Sequence, residues 1–198
     1  MKLGVFCPLA SPAADAAYVR SFGVNAERLG FDSLWVAEHV VLFDTYAKEY
    51  PYAETGEFPV SGEAGMAEPF TTLAWLAGQT STIRLGTGVI SVPYHHPFHI
   101  AQRMVHLDHL SYGRAMLGVG PGALPSDAVM LGIDPMTQRQ RMDEGLGVVL
   151  RLLNEQEPVS VKSDWFTLHE AALQLRPLQE RIPVAVASTI SPSGMLTA

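Results

Sequence analysis

Cysteine occurs once, at Cys7, so no disulfide can form within the chain. That suits a reducing cytoplasm, which is the expected location. Cys7 ends an apolar run and reads as a small buried hydrophobe rather than a reactive thiol. Long apolar runs are missing too. None approaches the ~18 consecutive apolar residues of a membrane span. The opening MKLGVFCPLA has too short an apolar run, and no basic stretch before it, to be a signal peptide. It reads as a buried first strand. Charge is sparse at 17% of residues, and positive charge sparser: 13 Lys and Arg stand against 20 Asp and Glu, for a net −7. A basic face for phosphates is therefore not on offer, which argues against nucleic acid as a partner. There is no internal repeat and no low-complexity segment.

What is present is apolar material, 47% of 198 residues, enough for one sizeable core. Mean hydropathy is +0.14. A short apolar strand followed by an amphipathic helix recurs along the chain. Residues 2–6 form the first strand. Val19, Phe22, Gly23, Ala26 and Leu29 share a helix face, and Gly30 sits where a C-cap belongs. Residues 33–37 (SLWVA) form the second strand. Pro69 opens a helix with Phe70, Leu73, Ala74 and Ala77 on one side. Residues 83–90 are the third strand. Pro97 opens the next helix, with Ile100, Met104 and Leu107 spaced for burial, and residues 115–119 are the fourth strand. TQRQ at 137–140 reads as a capping box before the stripe Met142, Leu146, Val149, Leu150 and Leu153. Residues 159–168 read as a hairpin turning near Ser163-Asp164, and VAVAS at 184–188 as the fifth strand.

Strands alternating with helices imply parallel βαβ units, and strands apolar throughout imply cover on both faces. A doubly wound open sheet and a (β/α)8 barrel both fit. Residues 40–68 break the rhythm with 29 residues rich in Glu, Tyr, Gly and Pro. A loop this long at the C-terminal edge of the sheet is expected to be a lid, or else a surface insertion. Its Tyr46, Tyr50, Tyr52 and Phe58 either cover an apolar substrate or pack the loop down. The whole of 1–198 is read as one domain. A complete barrel needs ~250 residues, so the chain is either short of a full barrel by about three βα units or a smaller open sheet.

Four collinear stretches carry a resemblance. They are SLWVAEHV, then LGTGVISVPYHHPFHIAQRMVHLDHLSYGRAMLGVGPG at 85–122, then DAVMLGIDPMTQRQRMDEGLGVVLRLL, then IPVAVASTISPSG. Together they resemble the luciferase-like, flavin-dependent monooxygenases. YHHP, GRAMLGVGPG and DWFTLHEAALQL are most similar to the limonene monooxygenase-like branch. The resemblance favours the α/β (β/α)8 TIM barrel of the bacterial-luciferase type, with about five βα units present. It implies reduced FMN supplied by a flavin reductase, O2, and a small apolar substrate, with a monoterpene such as limonene as one possibility. It allows a homodimer. Three rivals stand beside it: F420-dependent hydride transfer within the same superfamily, a flavin-binding relative without turnover, and a fragment or interaction module with exposed sheet edges.

The site residues follow from strand ends and glycines. His39 lies just past the second strand, at the mouth where barrel enzymes place their chemistry, and its imidazole can give or take a proton. The resemblance makes it catalytic, and Glu38 either orients it or forms a salt bridge within the barrel mouth. The resemblance implies that Thr87, Gly88 and Val89 underlie the flavin, with a cis peptide at Gly88–Val89. Gly120 and Gly122, in GVGPG, clear space for the ring. No helix opens directly after them, so a dinucleotide fingerprint is excluded. Pro121 stands where some relatives carry an arginine for the phosphate. Ser188, Ser191, Ser193 and Gly194 before a helix form the expected phosphate site. His95, His96, His99, His106 and His109 crowd together without a metal-binding pattern, so no metal is expected. His95 and His96 are read as lining the mouth or capping the third helix.

Overall fold

A computed structural model describes residues 1–46, 50 and 53–187. In chain order it runs β1 (Gly4–Phe6), α1 (Ala16–Arg28), β2 (Ser33–Ala37), α2 (Pro69–Ala77), β3 (Arg84–Ser91), a 3-10 turn (Val92–Tyr94), α3 (Pro97–Leu110) and β4 (Ala115–Gly120). There follow α4 (Pro125–Met130), a second 3-10 turn (Pro135–Thr137), α5 (Gln138–Asn154), β5 (Val159–Lys162), β6 (Thr167–Ala171) and β7 (Val184–Val186). Five strands pair in parallel in the order β1-β2-β3-β4-β7, while β5 and β6 form an antiparallel hairpin.

That order decides between the two architectures the sequence left open. A doubly wound sheet reverses its strand order at a switch point. Here each parallel strand is added beside the one before it, as in the wall of a barrel. The described sheet is a five-stranded arc of such a wall. Its inner strands are largely buried, with Leu34, Val36, Leu85, Ile90, Leu117 and Val119 fully covered, while β1 and β7 at the edges of the described sheet are partly exposed. Helices supply that cover through their expected stripes. Ile100, Met104 and Leu107 of α3, and Met142, Leu146, Val149 and Leu153 of α5, are all buried. Leu29 departs from the stripe of α1 and stands 65% exposed, because it is already the C-cap. Gly30 follows it at φ +81, a left-handed turn that favours glycine.

Two signature residues of the resemblance build the N-terminal end of this wall rather than a binding site. The Arg114 guanidinium is buried and donates to the carbonyls of Ser111, Ile83, Ala77 and Thr80 and to the Thr80 hydroxyl. It thereby ties the end of α2 to the turns entering β3 and β4. Asp108 is fully buried and accepts from the backbone of Leu178 and Gln179 and from the Gln179 amide. This fixes the segment that leads to β7.

The capping box at 137–140 does not form. Thr137 has φ −92 and ψ −9 rather than the extended backbone of an N-cap, since it ends the 3-10 turn. Its hydroxyl donates to the Asp134 carbonyl instead, and Gln140 reaches Glu144. Asp134 caps the turn through the Met136 N–H.

Candidate active site

The C-terminal ends of β2, β3, β4 and β7 open into one cavity of about 540 Å³. This lies within the ~300–1,000 Å³ usual for small-molecule sites. Phe6, Leu9, Val60, Met66, Val89 and Leu124 make its wall mostly apolar. Glu38, His39, Asp127 and Arg139 are among the polar residues that line it. Arg139 is the only lysine or arginine on the wall among the described residues.

His39 stands two residues beyond β2, and α4 brings Asp127 to it. His39 Nδ1 lies 2.8 Å from Asp127 Oδ2, with the two side chains 10% and 4% exposed. A buried carboxylate accepts, so Nδ1 carries the hydrogen, and in the neutral imidazole Nε2 is left as an acceptor. Nε2 is buried and has no hydrogen-bond partner.

Glu38 faces another way. Its Oε1 lies 2.7 Å from His95 Nε2, and its Oε2 accepts from the Ser91 N–H at 2.9 Å. Of the two readings of Glu38, orienting His39 is therefore corrected, and a pairing at the barrel mouth is what the structure has. Asp127 orients His39, and Glu38 ties β2 to the turn after β3. The physical reason is strand geometry: successive side chains leave an extended backbone on opposite sides. His96 caps α3 by accepting from the Phe98 N–H, while burial, with His99 nearby, lowers its pKa.

Below the mouth, Tyr94 accepts from the Gln138 amide, which also donates to the Pro121 carbonyl. Burial foremost, and then the charges of Asp127 and Glu38, push the Tyr94 phenol up to about 12, so it stays protonated. Gly122 has φ +92, and a side chain there would strike the Tyr94 hydroxyl and the Gln138 amide. Glycine at 122 thus serves this network as well as the cavity.

Of the expected cofactor residues, Val89, Gly120 and Gly122 line the cavity beside Glu38 and His39. A Cβ on Gly120 would lie 2.7 Å from Val89 Cγ1, so the cleft there exists only with glycine. Thr87 and Gly88 lie behind the wall. The fully buried Thr87 hydroxyl donates to the Gly118 carbonyl and accepts from the Gly118 N–H, clamping β3 to β4. Gly88 faces the backbone of Val36 and Ala37. The cis peptide implied at Gly88–Val89 is absent, the cis bond among the described residues being Ser11–Pro12. The pairing of β2 with β3 shifts register between Val36 and Ala37. Ser188, Ser191, Ser193 and Gly194 lie outside the described residues, although Ala187 just before them lines the cavity.

Sequence reasoning missed Asp127, Arg139 and the pairing of His95 with Glu38. Pro125 marks a helix start, and that signal could have placed Asp127 in a first turn. Nothing in the sequence pairs residues 57 apart, as Glu38 and His95 are.

The luciferase-like monooxygenase family model matches residues 1–197. The 4-hydroxyprotoasukamycin monooxygenase of Streptomyces nodosus subsp. asukaensis is 45% identical over 170 residues, which is 85% of this chain and 41% of that protein. Limonene 1,2-monooxygenase of Rhodococcus erythropolis is 43% identical over 170 residues, 86% of this chain and 38% of that protein. An F420-dependent glucose-6-phosphate dehydrogenase of Kineococcus radiotolerans is 31% identical over 84% of this chain and 45% of its own. The chain thus spans about two fifths of the length of the first two relatives. Among solved structures, monooxygenase RslO1 from Streptomyces bottropensis superposes with a TM-score of 0.77 at 28% identity, covering 98% of this chain and 55% of that one.

Proposed function

Because this chain belongs to the luciferase-like monooxygenase family, we propose that its cavity takes reduced FMN and that the protein oxygenates a small apolar organic substrate with O2. The observation that carries this reading is the His39–Asp127 pair on an apolar wall, with Nε2 buried and unpartnered. A buried polar atom without a partner costs about 1–3 kcal/mol and calls for a ligand or a function.

The residues present fit a flavin. Gly120, Gly122 and Val89 make a cleft at the strand ends that a planar ring can approach. Arg139 supplies positive charge on the same wall for an anionic tail, where Pro121 does not. Ser188, Ser191, Ser193 and Gly194 are proposed as the remainder of that phosphate site. Reduced FMN, when bound, supplies the electrons that activate O2, and that chemistry belongs to the cofactor. The chain's own residues do the rest. Asp127 holds the proton on His39 Nδ1, so that Nε2 takes or gives a proton at the reacting centre. Phe6, Leu9, Met66 and Leu124 exclude water and seat an apolar substrate. The limonene 1,2-monooxygenase relative supports a monoterpene. A separate flavin reductase is the proposed partner, as the source of the reduced cofactor. The long segment at 40–68, which contributes Tyr50, Phe58, Pro59, Val60 and Met66 to the wall, is proposed as the cover of the site.

Titration of the chain with FMN and separately with F420, followed by absorbance, tests the cofactor. The expected result is a perturbed FMN spectrum and an unchanged F420 spectrum. Perturbation of F420 alone moves the chain to hydride transfer, consistent with the Kineococcus relative. No perturbation of either overturns the flavin reading.

A further inference from the structure

The His39 ring, whose Nε2 has no hydrogen-bond partner, packs against an aromatic side chain of the 40–68 segment. The Phe58 ring meets the His39 ring edge-on at 4.5 Å between centroids. Tyr46 packs on both, 5.1 Å from Phe58 and 6.4 Å from His39, and Tyr50 meets Phe58 at 5.0 Å. Phe43 backs Tyr46 at 5.7 Å. The Tyr46 hydroxyl does not reach His39, since it accepts from the Phe43 N–H and donates to the Val41 carbonyl. Neither that hydroxyl nor the Phe58 ring gives His39 Nε2 a hydrogen-bond partner.

The segment carrying Phe58 is pinned on both sides. The Glu38 N–H donates to the Val89 carbonyl before it. After it, the Ala67 N–H donates to the Leu9 carbonyl, and Ser11 and Gly65 exchange hydrogen bonds. Phe58 also lines the cavity, so one face of its ring bounds the space where a ligand would sit. Asp127 holds Nδ1, Nε2 is buried without a hydrogen-bond partner, and the ring packed nearest the imidazole among the described residues is that of Phe58.

We infer that Phe58 is the specificity-determining residue of this site: it seals His39 Nε2 from solvent, so that only a ligand held within the cavity meets that nitrogen. This rests on reading the cavity as the reaction site. Its ring sets the boundary of the cavity on the His39 side and selects an uncharged, apolar ligand, because a charged group displacing it would lose its hydration against Tyr46 and Tyr50. What then faces Nε2 is a hydrogen-bond donor, since the Asp127 carboxylate holds the imidazole hydrogen on the other nitrogen.

The test is carbethoxylation of the chain by diethyl pyrocarbonate, which attacks unprotonated imidazole nitrogen, with each histidine mapped by mass spectrometry. The exposed His106 and His169 serve as internal references. In the unaltered chain His39 is expected to react about tenfold more slowly than His106, as a locally protected group does. Phe58→Ala is expected to bring His39 to within about threefold of His106 while the references keep their rates. Phe58→Leu keeps apolar bulk for folding, and there a rise of about threefold at His39 is expected. Reaction of His39 as fast as His106 in the unaltered chain overturns the proposal. So does an unchanged His39 rate in the folded Leu variant. The readout uses neither cofactor nor turnover, so a failed FMN titration and a failed Phe58 experiment are separate results.

Discussion

Glu27 shows how one side chain carries a whole junction. It stands near the end of α1, and its carboxylate accepts from the backbone of Ser81, Thr82 and Ile83 and from the Thr82 hydroxyl. Burial works against the charge, but these donors outweigh it and pull the carboxyl down to about 2. The unfolded value is ~4.3. A carboxyl depressed on folding stabilises at pH above its unfolded value, and that contribution is lost as pH falls through the folded one. Glu27→Gln should therefore melt below the unaltered chain at pH 7, with the gap closing between about pH 4.3 and about pH 2. Melting temperature across that range checks it, and a gap independent of pH would contradict it. Residue-level legibility follows the same division between local and distant causes. His39, Glu38, Val89, Gly120 and Gly122 were visible because each sits at a strand end. Asp127 and His95 were not, because their roles come from contacts between chain segments far apart in sequence. Thr87 was visible, but its work lies within the sheet.

At the scale of elements, β3 and β4 approach so closely that their glycines serve the sheet before they serve any ligand. A Cβ on Gly118 would press on the carbonyl oxygens of Thr87 and Gly88, which are backbone and cannot swing aside. Gly86 makes room in the same way for the Trp35 ring. Gly118→Ala should cost ~1–3 kcal/mol or more, as overpacking does. Gly147→Ala is the control. Gly147 is exposed within α5, a Cβ there meets nothing within 4 Å, and alanine should be neutral or stabilise by up to ~1 kcal/mol. Denaturant unfolding of both variants checks the contrast, and equal effects would contradict it. The strands and long helices were legible from apolar periodicity and from Pro69 and Pro97. The helix α4 was not, because its six residues are too few for a periodicity to show. The capping box failed because local pattern could not foresee the 3-10 turn that claims Thr137.

At the scale of the molecule, periodicity was consistent with two architectures, and only the resemblance favoured the barrel. Strand order then decided it, since a parallel sheet winding without reversal brings every C-terminal strand end to one mouth. The distribution of work over that wall is physical. Arg114 and Asp108 lock the turns at its N-terminal end, while His39, Asp127 and the clefts at Gly120 and Gly122 stand at the other. The described chain has no helix long and apolar enough to cross a membrane. What the account depends on is that the redox cofactor rests at this one mouth, against Val89 and Gly120 and within reach of His39. A crystal structure of the chain grown with FMN tests that most directly. The account predicts density for the ring between the β3 and β4 ends, with the phosphate toward Arg139. Ring density anywhere else on the chain, with this cavity holding only solvent, would contradict it.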